Sequence, residues 1–208
     1  DREMYTTWTD DGKIAFWINA YNAFTLKAII DHYPIKARWT TSLFYPDNSI
    51  RQIDGVWDEL EFSVLGKQMT LDKIEHETLR EEFNEPRIHM ALVCAAKGCP
   101  VLRNEPYVPS RLDTQLDDQT RRFLRNPDKF GIDRDREEIH LSSILKWFGE
   151  DFIPTYGGEP RIGGHSKKES ALLRFIAQYL DEPDRDYILT GDYSIEYLDY
   201  DWTLNEQK

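Results

Sequence analysis

Cysteine is scarce: Cys94 and Cys99 are the only two in 208 residues. A chain of this length buries a sizeable core without staples, so a disulfide-dense scaffold is excluded. Two cysteines are also too few to fix the redox compartment. A basic surplus is missing. Lys and Arg number 26 against 38 Asp and Glu, a net charge of -12 with His neutral. Nucleic acid and anionic membrane surfaces repel such a body, so neither is an expected partner. No apolar run reaches the ~20 residues needed to span a bilayer. The longest, IAFWINAYNAFTLKAII, is interrupted by Asn19, Asn22 and Lys27, and membrane insertion is not expected. No stretch reads as a signal peptide, and the first residue is Asp1 and not Met, which fits a mature or trimmed form. Solenoid-period repeats and low-complexity tracts are absent. TYGGEPRIGGHS holds four glycines but lacks the spacing and the Lys of a phosphate loop, and reads as a surface loop.

Aromatics are plentiful, with six Trp, eleven Tyr and ten Phe. The periodicity predicts a helix over 13–32, apolar on nearly every side and therefore central, stopped before Pro34. Residues 35–70 read as irregular and extended. A second helix is expected over 71–83, with Asp72 and Glu75 spaced as a capping box. The run 87–94 is apolar on both faces apart from His89 and reads as a central strand. Further helices are expected behind Ser110 as N-cap, over LSSILKWFGEDF, and behind a Ser166/Glu169 capping box. DYILTGDYSIEYLDYDW reads as a hairpin around Gly191-Asp192. The expected architecture is α+β: a single domain over 1–208, with a central apolar helix on a small, mostly antiparallel sheet.

Cys94 ends the expected strand and precedes AAKG, which can turn tightly. A thiol there, beside free N–H groups, suits a nucleophile with an oxyanion site, and Lys97 would favour the thiolate. A buried inert thiol and a Cys94–Cys99 disulfide are the other readings. His89 and Cys94 fall on opposite faces of a regular strand, which opposes a simple dyad. Glu75 and His76 adjoin on the second helix, with His76 one turn from Arg80, in reach of acid–base work. Asn19 and Asn22 sit one turn apart in an apolar helix, where buried amides are costly unless they hold backbone or line a cleft. A metal set of His76, His89, Cys94 and Cys99 misses the tight cysteine pairs of structural zinc. No metal or cofactor is assigned.

The segments FWINAYNAFTLKAIIDHYPI, IEHETLREEFNEPRIHMALVCAAKGCPVLRNEPY, LDTQLDDQTRRFL, LSSILKWFGEDF and YLDYDWTLN together resemble the bacterial branch of the domain of unknown function 547 family, over about residues 10–205. The resemblance places family motifs on Trp17, Asn19, Asn22, Glu75, His76, Arg80, His89, Cys94, Cys99, Pro100 and Arg103. It implies a role for Cys94 that needs no disulfide, because plant relatives have Ser at the position of Cys99. It also implies a periplasmic or secreted location. The order of elements is similar to the papain and transglutaminase core, with His89 and Asp201 near its catalytic positions and its usual cysteine missing.

Two principal functions follow. One is a thiol-dependent hydrolase or acyl transferase, with Cys94 as nucleophile and His89, His76 and Glu75 as proton-handling groups. The other is a non-catalytic module holding a small molecule or peptide with Asn19, Asn22, Trp17 and Arg103. A metal-dependent hydrolase is the third.

Overall fold

Thr9 starts the longest element. Its hydroxyl accepts the Gly12 N–H at 3.2 Å, and Asp10 and Asp11 complement the helix dipole in the first turn. In the computed structural model, which describes residues 2–206, a short helix α1 (Arg2–Thr6) precedes this element, α2 (Asp10–His32). Tyr33 adopts an extended conformation as its C-cap, as expected of a residue before proline.

The described residues form two compact units. One comprises the chain up to Gln119 and from Asp201 onward; the other is Thr120–Tyr200. In the first, α2 buries Ile14, Trp17, Ile18 and Tyr21 in a core shared with Ile74, Leu79, Ile88 and Leu116. A hairpin of β1 (Phe62–Val64) and β2 (Lys67–Met69) packs there, with Phe62 stacked on Phe24 of α2 at 4.6 Å between ring centroids. The helix expected over 71–83 is present, but Lys73–Arg80 is wound as a π-helix. Its cap also differs from expectation. Thr70 accepts the Lys73 N–H at 3.2 Å, while Asp72 makes no capping bond.

The expected strand over 87–94 is absent. Pro86–Met90 is a 3-10 turn, capped by the Glu85 carboxylate on the Arg87 N–H at 3.1 Å and opened by Pro86. A short run apolar on both faces satisfies a buried strand and a buried helical turn equally, and the Glu-Pro start decides for the turn. Ser110 likewise lies inside a 3-10 turn (Pro109–Arg111) that leads into α3 (Leu112–Leu124) and does not cap it.

In the second unit, β3 (Phe130–Asp133) pairs antiparallel with β4 (Glu138–Ser142), and β4 pairs in parallel with β5 (Ser194–Leu198). Four helices accompany this sheet: α4 (Ser143–Phe148), α5 (Ile153–Tyr156), α6 (Lys167–Ala177) and α7 (Glu182–Thr190). The Ser166/Glu169 capping box opens α6 as expected. The expected terminal hairpin is corrected to α7 followed by β5. Pro183 in its first turn starts the helix, and Gly191, at φ 77°, terminates it in the left-handed region. A Cβ on Gly191 would lie 2.6 Å from the Gly163 nitrogen, so that junction requires glycine.

Helices with small, locally paired sheets make the chain an α+β protein. Among the described residues no helix is long and apolar enough to cross a membrane.

Candidate functional site

The two asparagines of α2 act on backbone. Asn22, buried, donates its amide to the Ala91 carbonyl at 3.0 Å and accepts the Val93 N–H at 2.9 Å. This is the bond pair a neighbouring strand would supply, and it fixes the backbone at 91–93 without a strand beside it. Asn19 repeats the device on Tyr107, donating to its carbonyl at 2.8 Å and accepting its N–H at 2.9 Å. Gln115 completes that segment: its carbonyl oxygen accepts the Val108 N–H and its amide donates to the Pro106 carbonyl, both at 2.9 Å.

The segment so held runs beside α2 and leaves two clefts. One, of about 320 Å³, is walled by Trp8, Gly12, Phe16, Tyr107 and Pro109. The other, of about 420 Å³, is walled by Ala23, Leu26, Leu102, Arg103 and Glu105. Asn19 and Tyr107 line both, and Asn22 lines the second. The two are lobes of one groove, pinched at the Asn19–Tyr107 clamp. Trp8 and Phe16, which meet at 5.4 Å and 67°, open the first lobe as an aromatic slot.

Arg103 is held from several sides. Its guanidinium bonds Asp118 at 2.5 Å and Glu105 at 2.9 Å. Arg111 pairs with the same Glu105 at 3.1 Å. These bonds, with one from Gln115, hold the Glu105 carboxyl down to about 2. The Nε of Arg103 is buried without a hydrogen-bond partner. Trp17, the remaining residue expected to contact ligand, is buried and donates its indole N–H to the Tyr5 hydroxyl at 2.8 Å.

The residues expected to carry catalysis are placed differently. Cys94 and Cys99 are joined in a disulfide, and the Cys94 N–H points at the Cys99 sulfur at 2.8 Å. Loop 95–98 is clasped to the carboxy-terminal segment. The Lys97 N–H donates to the Thr203 carbonyl at 2.9 Å, the Gly98 N–H to that of Asp201 at 2.8 Å, and the Asn205 N–H to that of Ala95 at 2.8 Å. Trp202 anchors the same segment, with the Arg51 guanidinium 5.0 Å from its ring centroid and 4.5 Å from that of Tyr45. Asp201 turns its carboxylate onto the Thr203 N–H at 2.8 Å. The expectation that the strand faces separate His89 from Cys94 falls with the strand. His89 is buried in the 3-10 turn instead.

Glu75 is buried on the inner side of the π-helix, where its charge acts on the buried Tyr21 phenol of α2. His76 points outward. Its Nδ1 takes a proton-donating bond from Arg80 at 2.8 Å, and arginine can only donate, so the ring proton sits on Nε2, facing Asp72 at 3.7 Å. Burial, chiefly, raises the Asp72 carboxyl above its ordinary range. With Nδ1 engaged, the lone pair a general base would use is occupied.

The groove's aromatic lobe was missed in the sequence. Trp8, Tyr107 and Pro109 carry no chemistry individually and have no periodic relation to one another. The legible signal was the α2 stripe of Phe16, Asn19, Asn22 and Leu26 at helical spacing.

No curated protein and no solved structure matches the chain. A family model described as "Protein of unknown function, DUF547" matches residues 5–124, which hold the groove, the π-helix and the cysteine loop; the two motif segments after residue 124 lie outside the match. The chain therefore belongs to the DUF547 family.

Proposed function

We propose that the protein is a non-catalytic binding module that holds a small molecule or peptide in the groove along α2. The observation that carries this reading is the two-lobed groove itself, apolar and aromatic at one end and walled at the other by the ion-paired Arg103 and Glu105. Largely apolar concavities with a few placed polar groups are where ligands bind.

The cysteine loop supports the same choice. A thiol-dependent hydrolase or acyl transferase at Cys94 requires a thiolate, which a disulfide withholds. It also requires N–H groups for an oxyanion, and those of Lys97 and Gly98 are engaged by carbonyls. A metal-dependent hydrolase requires a ligand cluster. Among the described residues no group of three or more His, Cys, Asp or Glu is placed to hold a metal ion. The reading places the protein in the periplasm or outside the cell, where a disulfide persists. Its charge of -12 disfavours nucleic acid as a partner.

The test is a saturation-transfer NMR screen of small fragments and short peptides against the native chain, Ala23→Trp and Cys94→Ser/Cys99→Ser. Ala23 is exposed and lines the second lobe, so a Trp there fills the groove at a helix-propensity cost of less than about 1 kcal/mol. Hits should weaken at least about tenfold in Ala23→Trp and hold their affinity in the double serine variant. Hits that ignore Ala23→Trp and vanish with the cysteines would reverse the assignment.

A further inference from the structure

We infer that the turn at 38–45 is a docking tip for the surface of a zwitterionic phospholipid bilayer. Trp39, Leu43 and Phe44 enter the headgroup layer while the acidic body stays in water. The inference is independent of the groove reading.

Exposure is the first ground. Trp39 is 85% exposed, Leu43 79% and Phe44 78%. No residue in 31–48 is buried, so the whole segment stands clear of the core. Large apolar side chains gathered in water at one place mark an interaction surface, whereas the same residues scattered singly do not.

The second ground is that the turn is pinned. The Ser42 N–H donates to the Arg38 carbonyl at 2.8 Å and the Tyr45 N–H to that of Thr41 at 3.0 Å. Both bonds span four residues, which winds the turn as a helix is wound and sets Trp39 and Leu43 on one side. Gln52, itself buried, commits its whole amide to this backbone. Its carbonyl oxygen accepts the Arg38 N–H at 2.9 Å and the Thr41 hydroxyl, and its amide donates to the Tyr45 and Pro46 carbonyls at 3.3 and 3.1 Å. The apolar side chains are therefore presented on a fixed backbone.

Chemistry is the third. Residues 32–46 contain no carboxylate, although 38 of the 208 residues are acidic, and they carry Lys36 and Arg38. Arg38 pairs with Asp54 at 2.5 Å, which leaves Lys36 as the surplus charge of the tip. One ammonium meets a lipid phosphate, and the net charge of -12 opposes a bilayer that is itself anionic. An indole at headgroup level, Leu and Phe at the acyl boundary and a lysine reaching outward form the usual interfacial set. A protein partner fits this tip less well. At about 150–250 Å² for each aromatic, three side chains fall short of the about 800 Å² that a stable partner covers. A bilayer requires no matching outline. The contact is shallow, since among the described residues no helix is long and apolar enough to cross a membrane.

The experiment is co-sedimentation of the full chain with vesicles of phosphatidylcholine, alone or mixed with phosphatidylglycerol, at millimolar lipid. The native chain should pellet with phosphatidylcholine. Trp39→Ala and Leu43→Gln/Phe44→Gln should each lower the partition coefficient at least about tenfold. Both should keep the native melting curve, because the replaced side chains are exposed. Added phosphatidylglycerol should not strengthen binding. No pelleting, or pelleting that both variants retain, would overturn the inference, and strengthening by phosphatidylglycerol would overturn the zwitterionic assignment. A concentration-dependent dimer that ignores vesicles and is abolished by Leu43→Gln/Phe44→Gln would give the turn to a second copy of the chain instead.

Discussion

Asn22→Ala is expected to lower the unfolding free energy by about 2–5 kcal/mol, measured by urea denaturation with an unchanged m-value. The variant strips partners from two buried backbone groups, the Ala91 carbonyl and the Val93 N–H. Each such orphan costs about 1–3 kcal/mol. Asn22 is 6% exposed at the edge of the second cleft, so water replaces its bonds less readily than those of the more open Asn19. Asn22→Asp should recover part of the loss, because it keeps an acceptor for Val93 while setting an oxygen against the Ala91 carbonyl. Asn19→Ala should cost less, about 1–2 kcal/mol, because Asn19 lines the open groove and water can replace it. An Asn22→Ala protein within about 0.5 kcal/mol of native would show that the 91–93 segment is held by something else.

Tyr21→Phe is the second large effect, an expected loss of about 1–3 kcal/mol. Tyr21 is 3% exposed. Its hydroxyl lies buried in the field of the Glu75 carboxylate, and removing it takes a polar neighbour from that buried charge. The pH dependence identifies the group. Burial first, and the Glu75 charge next, raise the Tyr21 phenol well above its ordinary 10. The native state then holds this proton more tightly than the unfolded chain does. The stability it contributes is complete below about pH 10 and is lost as pH rises beyond that value. Tyr197, pushed up to about 12, and Tyr193, also raised by burial, act in the same direction within the other unit. Denaturation curves between pH 8 and 11 should therefore fall less steeply for Tyr21→Phe than for the native chain. Equal slopes would mean that the phenol does not titrate differently on folding.

These two residues, neighbours on α2, also show how far the sequence could be read. A hydrophobic run behind Thr9 and ahead of His-Tyr-Pro specifies a helix locally, so α2 was legible to within three residues at its start. Two amides in that run signalled an expensive polar requirement, and the structure shows what they hold. Their partners were not legible. The wall at 106–108 has neither period, and its position comes from Asn19 and Gln115, the former 88 residues away in the chain. The run 87–94 was misread for a related reason. Its apolar content reflects burial, whereas its conformation is set by Glu85-Pro86 on one side and by Asn22, about 70 residues distant, on the other. Gly191 was read as a hairpin turn because Gly-Asp serves there as well as it serves after a helix. The Asp-Glu-Pro start of α7 was the signal that separates the two.

The same difficulty applies at the cysteines. Cys-Ala-Ala-Lys-Gly-Cys is compatible with a nucleophile loop or with a closed one. The difference lies in whether the loop amides are free, and residues 201–205, about a hundred positions later, decide that by pairing with them. With Cys94 held in a bonded, clasped loop, the proposed binding role falls to the groove along α2.

Iodoacetamide labelling read by intact mass, on protein purified in air, separates these alternatives most directly. It should add nothing to the native chain, nothing after denaturation in guanidinium, and two groups once a dithiol has reduced the denatured chain. One stoichiometric label on Cys94 in the folded protein would contradict the closed loop and return the site to thiol chemistry.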